Sequence, residues 1–196
     1  MANYQAIAAT SNAVRLLLQN AALESEWSDA LIELFQADKL QNPISATKPR
    51  VSIYLYRVLL STVHRDRGPR IGRDGHIYQP SLPVDLHYLI TALSQDPATA
   101  HRLLGWTFTV LQGTPILPTT ILNAYQVGVF EDHDTVEFVW NPLSQSDLSD
   151  VWQVAAAQQA RSGTYVARAV RLDSTVALDD GSPVEVRQFD YAGAIR

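Results

Sequence analysis

The sequence predicts an α+β domain built on a mixed β-sheet flanked by helices, with a C-terminal β-hairpin. Three observations carry this. Segments of helical and strand periodicity are intermixed without the regular strand–helix–strand rhythm of a parallel α/β fold. One segment, residues 51–60, is β-branched and aromatic with apolar groups on both parities, the pattern of a strand covered on both faces. Two helices announce their starts by capping residues. A length of 196 residues suits a single domain, 1–196. A hydrophobic share of 46% with only 18% charged residues argues for a packed core and against disorder.

Residues 4–22 read as the first helix, alanine-rich, with Ile7, Val14, Leu17 and Leu18 along one stripe. Residues 30–35 are short and mostly apolar, and Asp38, Asn42 and Pro43 follow closely, so a strand is predicted there. The strand at 51–60 is expected mid-sheet. Residues 64–83 read as a long arginine-rich loop, interrupted by Gly68-Pro69, Gly72, Asp74-Gly75, Pro80 and Pro83. Residues 84–93 fit helix or strand; Pro83 and the β-forming side chains favour strand. A helix then opens with Asp96 as cap and Pro97 in its first turn. Its apolar face runs through Ala100, Leu103, Leu104, Phe108 and Leu111, and Gly113 and Pro115 end it. A short strand is expected at 136–139. Another helix starts at Ser144, with Leu143 and Leu148 spaced as a hydrophobic staple, and continues towards Gly163. Residues 164–172 and 184–189, separated by the turn signal Asp179-Asp180-Gly181-Ser182-Pro183, read as the hairpin.

Several function classes lose support early. The absence of cysteine excludes a disulfide scaffold, a thiolate zinc site and a cysteine nucleophile. A net charge of -5 gives no general support for nucleic-acid or anionic-membrane binding. No apolar run is long enough for a membrane span, and the N-terminus lacks the features of a signal peptide, so the cytosol is the expected compartment. None of the five His residues has metal-ligand spacing with another. Glu131-Asp132-His133-Asp134 has metal-like residue types, but lacks the convergent oxygens and glycine of a hard-cation loop, and reads as an acidic turn. The glycines between Gly68 and Gly75 lack the Lys-Ser/Thr pair of a phosphate-binding loop. Asp85 and His87 would share a strand face, which is compatible with an acid–base pair, although no patterned nucleophile accompanies them. A phosphate-binding or small-molecule enzyme using the arginine-rich loop with Asp85 and His87 is therefore the rival reading.

The charge distribution is more informative. Lys48, Arg50, Arg57, Arg65, Arg67, Arg70 and Arg73 face only Asp66 within residues 48–73, a net of +6. Glu131, Asp132, Asp134, Glu137, Asp147 and Asp150 stand without any Lys or Arg within residues 129–150, a net of -6. Thirteen of the fifteen basic residues are arginine, which suits planar, bidentate contacts at interfaces. Opposite patches on one subunit could meet head to tail and close a ring. Solvated patches, or pairing of the two within one subunit, are the alternatives.

Five blocks occur in order: VSIYLYRV (51–58), LPVDLHYLITA (82–92), HRLLGWTFTVLQGTPILP (101–118), LSQSDLSDVW (143–152) and YVARAVRLDS (165–174). This succession resembles the tail-terminator, or cap, proteins of phage-tail-like contractile injection systems, of the antifeeding-prophage and Photorhabdus virulence-cassette type. The resemblance implies a non-enzymatic, cofactor-free structural subunit. It implies a homohexameric ring on the baseplate-distal end of the inner tube, ending polymerisation and holding the last sheath layer. Its partners would be further copies of itself, the tube protein and the sheath protein. A baseplate component of the same particle is a further alternative. Candidate ring or tube contacts are Arg57, Arg65, Arg67, Arg70, Arg73, Glu131, Asp132, Asp134 and Glu137. The candidate sheath-pairing edge is the return strand with Val184, Val186, Gln188 and Phe189.

Overall fold

The computed structural model describes residues 4–35, 48–62, 68–72, 75–154 and 161–178. Their elements run α1 (Ala6–Leu23), β1 (Leu31–Leu34), β2 (Arg50–Leu60), β3 (Arg70–Ile71), β4 (Ile77–Tyr78), β5 (Leu82–Leu93), α2 (Pro97–Gly113), β6 (Ile116–Pro118), α3 (Thr119–Leu122), β7 (Thr135–Trp140), α4 (Gln145–Val154) and β8 (Ser162–Leu172). Six strands form one sheet in the order β1-β2-β5-β8-β7-β6. The β1–β2 pair is parallel and the other pairs are antiparallel, so the sheet is mixed, as the sequence predicts.

Strand parity assigns the two faces. Val51 and Ile53 of β2, Leu86, Tyr88 and Ile90 of β5, Tyr165 and Ala167 of β8, and Val136 and Phe138 of β7 form one core with α1 and α2. Helix α1 closes on this face through small residues: Ala6, Ala9, Ala13 and Val14 are buried, and the Ser11 and Tyr88 hydroxyls bond at 2.9 Å. Short side chains let the helix approach the sheet closely, and the buried hydroxyls satisfy each other. On the opposite face, Leu89 and Trp152 form a smaller cluster with Phe35, Tyr54, Tyr56, Leu148 and Val151 under α4.

The cap of α2 forms as the sequence reads: the Asp96 carboxylate accepts from the Thr99 backbone N–H at 2.7 Å and from its hydroxyl at 2.6 Å. Ser144 likewise accepts from the Asp147 N–H at 3.2 Å at the start of α4.

Four expectations change. The middle of the sheet is held by β5 and β8, with β5 buried on both faces, whereas β2 is second from the edge and exposes Val58, Leu59 and Leu60. Its apolar pattern was equally suited to either place. The segment 64–83 is not loop throughout. β3 and β4 pair as a small ribbon, Tyr78 bridges to Ala177, and Leu82 and Pro83 already belong to β5. Gly163 lies inside β8, so the helix at 144 does not reach it. Strand β6 and the single turn of α3 were not anticipated, since three residues bounded by prolines carry no periodicity. The return strand 184–189 of the predicted hairpin lies outside the described residues. Within them, β8 is flanked by β5 and β7.

Candidate assembly surface

The acidic stretch is partly consumed inside the subunit. Asp134 is buried, and its carboxylate receives both the Arg171 guanidinium of β8 and the Glu131 backbone N–H, the latter at 2.9 Å. The turn is held further by the Asn123 side-chain amide. It donates to the Phe130 carbonyl at 3.0 Å and accepts from the Phe130 N–H at 2.9 Å, as a strand partner would. Glu137 on β7 faces Arg168 on β8 at 3.3 Å, both about half exposed. Glu131 lies 3.8 Å from the His133 ring. Asp132 is exposed. Of the predicted acidic contacts, Asp134 is therefore a structural ion pair, reached because β7 and β8 are neighbours in the sheet. Glu137 is engaged across the strands in solvent, where such a pair stabilises little.

The basic stretch is dispersed as well. Arg50 pairs with Glu33 of β1 at 3.0 Å. Arg70 lies 3.8 Å from Asp173 and 5.2 Å over the Tyr78 ring. Arg57 is exposed and sits 5.8 Å over the Tyr56 ring. Arg65, Arg67 and Arg73 lie outside the described residues, as do Val184, Val186, Gln188 and Phe189.

Asp85 and His87 take structural roles. Strands β5 and β8 slip register between Val84 and Leu86, and Ala169 opposite the slip has φ 52°, a left-handed conformation rare for alanine. The Asp85 carboxylate accepts from the Ala169 backbone N–H at 2.8 Å and fixes that bulge. His87 is buried, and its Nδ1 lies 3.3 Å from the Asn141 side-chain amide nitrogen. With the amide nitrogen turned towards the ring, the contact is a hydrogen bond when Nδ1 is unprotonated and accepts from it, the arrangement of a neutral imidazole. Burial pulls its pKa below the ordinary histidine value, and the Arg57 charge adds to this while Asp85 opposes it. Among the described residues no group of three or more His, Asp or Glu could hold a metal ion.

One cleft brings parts of the two charged stretches together. A groove of about 370 Å³ lies between β2 and α4, lined by Tyr54, Tyr56 and Arg57 on one side and Leu143, Asp147, Asp150 and Val151 on the other. The alternation of Tyr54 and Tyr56 on β2 marks one aromatic face in the sequence. That α4, almost a hundred residues later, closes over this face follows only from the tertiary structure.

The family model described as Pvc16 N-terminal domain matches residues 9–185. The chain belongs to this family. Two solved structures share the fold of this Pvc16 N-terminal domain. One is the sheath/tube terminator of PVC, an extracellular contractile injection system, in its extended state. It has a TM-score of 0.63 and 17% identity over 96% of this chain and 64% of its own. The other is the tube-terminating cap of the anti-feeding prophage, with a TM-score of 0.58 and 16% identity over 87% of this chain and 57% of its own. The chain thus spans about three fifths of the length of the terminators it resembles. No curated protein matches it by sequence. The family read from the five sequence blocks is borne out, as is the α+β fold with its mixed sheet. Among the described residues no helix is long and apolar enough to cross a membrane.

Proposed function

We propose that this chain is a terminator cap of a contractile injection particle. Copies assemble into a six-membered ring on the baseplate-distal end of the inner tube, stop its growth and hold the last layer of sheath. The observation that carries this reading is the superposition of nearly the whole chain on a sheath/tube terminator. The physical requirements agree with it. A cap must fit a repeating tube end and offer no equivalent surface for the next layer, which calls for head-to-tail contacts closing a ring and an end face unlike the tube. Arg57 and the arginines at 65, 67, 70 and 73 supply positive charge for ring or tube contacts, and Glu131 and Asp132 in the turn before β7, with Glu137 on β7, supply negative charge. The sequence pattern of Val184, Val186, Gln188 and Phe189 is of the kind that pairs with a strand of the sheath. Asp85 and His87 are committed to the bulge and to Asn141, so no observation favours the enzymatic reading.

The test is electron microscopy of particles assembled with a labelled chain. Label is expected at the baseplate-distal tip alone. Reversing Arg65, Arg67, Arg70 and Arg73 together should give over-long or ragged tubes, and removing residues 184–196 should release the terminal sheath layer while rings persist. Label at the baseplate, or along the whole tube, overturns the reading.

A further inference from the structure

The groove between β2 and α4 has chemistry that the terminator fold does not itself require. Asp147, Asp150 and Val151 lie three and four residues apart, so they present one helical side to the cleft. Facing them are two tyrosine rings. The Tyr56 Oη is buried with no hydrogen-bond partner among the described residues. Burial raises the Tyr56 pKa, Arg57 lowers it in part and Asp147 raises it again, so this hydroxyl stays protonated at neutral pH. Two carboxylates against the single Arg57 leave the lining one charge short of neutrality on the cationic side. A buried hydroxyl without a partner destabilises the fold, and a group that reaches it removes that cost.

A guanidinium answers each of these features. It is planar and stacks on tyrosine faces, it pairs with carboxylates through two parallel N–H groups, and it has donors left for a phenolic oxygen. Arg57 already places its guanidinium 5.8 Å over the Tyr56 ring within the subunit. The sequence supplies arginine in excess of lysine, thirteen to two. Among the described residues, Arg50, Arg70, Arg102, Arg168 and Arg171 are matched to carboxylates of their own subunit. The densest run of arginine in the sequence is 65–73, with four in nine residues.

We propose that this groove is the socket in which one subunit receives an arginine from residues 65–73 of a second copy of the chain. Arg70, the described arginine of that run, lies beside Asp173 and is not among the residues lining the groove. A contact between the run of one copy and the groove of the next is then head to tail and propagates around a closed assembly. The proposal rests on the ring reading above and deepens it by naming the contact.

The experiment is the assembly mass of the full chain, measured by sedimentation over a concentration series. Asp147→Asn/Asp150→Asn should raise the apparent dissociation constant of assembly at least tenfold with an unchanged melting temperature. Tyr56→Phe should raise it severalfold. Two charge-reversed variants then make the test specific. Asp147→Arg/Asp150→Arg spoils the socket, and Arg65→Asp/Arg67→Asp/Arg73→Asp spoils the inserted segment. Each alone should stay monomeric. Mixed, they should assemble with alternating copies, because one interface is then wild-type and the next is charge-swapped. Wild-type-like assembly of the Asn variant, or failure of the mixture to assemble, overturns the socket while leaving the ring intact. A wild-type chain that stays monomeric at every concentration and never decorates tube ends overturns the ring reading and the socket with it.

Discussion

The anchoring of Ala169 by Asp85 gives the sharpest test of what this acidic residue does. Alanine at φ 52° pays about 1–2 kcal/mol for its Cβ. It holds that conformation because β5 and β8 are out of step there and the Asp85 carboxylate, at 2.8 Å, takes the Ala169 N–H. Removing the acceptor leaves a partly buried N–H unpaired beside a strained residue, a loss of about 1.5–3 kcal/mol for a bond to a charged group. In a chain of this size that corresponds to a fall in melting temperature of about 3–12 °C. Asp85→Ala should therefore melt lower by that margin, and Asp85→Asn, which keeps an oxygen in place, should recover about half. Ala169→Gly removes the Cβ strain but adds about 0.5–1 kcal/mol of chain entropy, leaving a net gain of up to about 1.5 kcal/mol. Thermal and urea unfolding followed by circular dichroism measures all three. Asp85→Ala melting within 1 °C of wild type, or Ala169→Gly melting several degrees lower, would refute the anchoring argument.

Two further outcomes follow from the core. A Cβ on Gly163 would lie 2.5 and 2.7 Å from Phe108 ring carbons and 2.7 Å from Trp140, inside a cluster where Phe108 and Trp140 meet edge to face at 5.1 Å. Gly163→Ala should cost about 1–3 kcal/mol by overpacking, read by denaturation, and Phe108→Leu in the same chain should return part of it. His87 should make stability fall in mild acid. Its folded-state pKa is below the unfolded value near 6.5, so the unfolded chain binds more protons in the window between the two. Its contribution is complete above about pH 6.5 and declines as pH drops through that window. His87→Gln should flatten that part of the profile, and an unaltered slope would show that another group titrates there.

Much of the fold was legible because local chemistry and tertiary packing agree. Asp96 and Pro97 open α2, alanines thin α1 where it meets the sheet, and β-branched residues mark β2 and β5. The small elements were not legible. The β3–β4 ribbon and β6 are two or three residues long and owe their existence to partners elsewhere, Ala177 and β7. The charged stretches were legible as composition but not as surfaces. Asp134 reads as part of an acidic run, yet it is buried against Arg171 because β7 lies beside β8. The groove was half legible: Tyr54 and Tyr56 alternate on one strand face, but nothing local says that α4 will cover them.

By itself the sequence determined the fold class, the capped helices and the family, since each depends on periodicity, local hydrogen bonding or the order of blocks along the chain. Only the tertiary structure decided which strands lie in the middle of the sheet, which carboxylates are engaged inside the subunit and which face an open cleft. Those outcomes depend on strand order and on the crossing of α4 over β2. Contacts between residues far apart in the chain are set by the shape of the whole core, and no single segment encodes them.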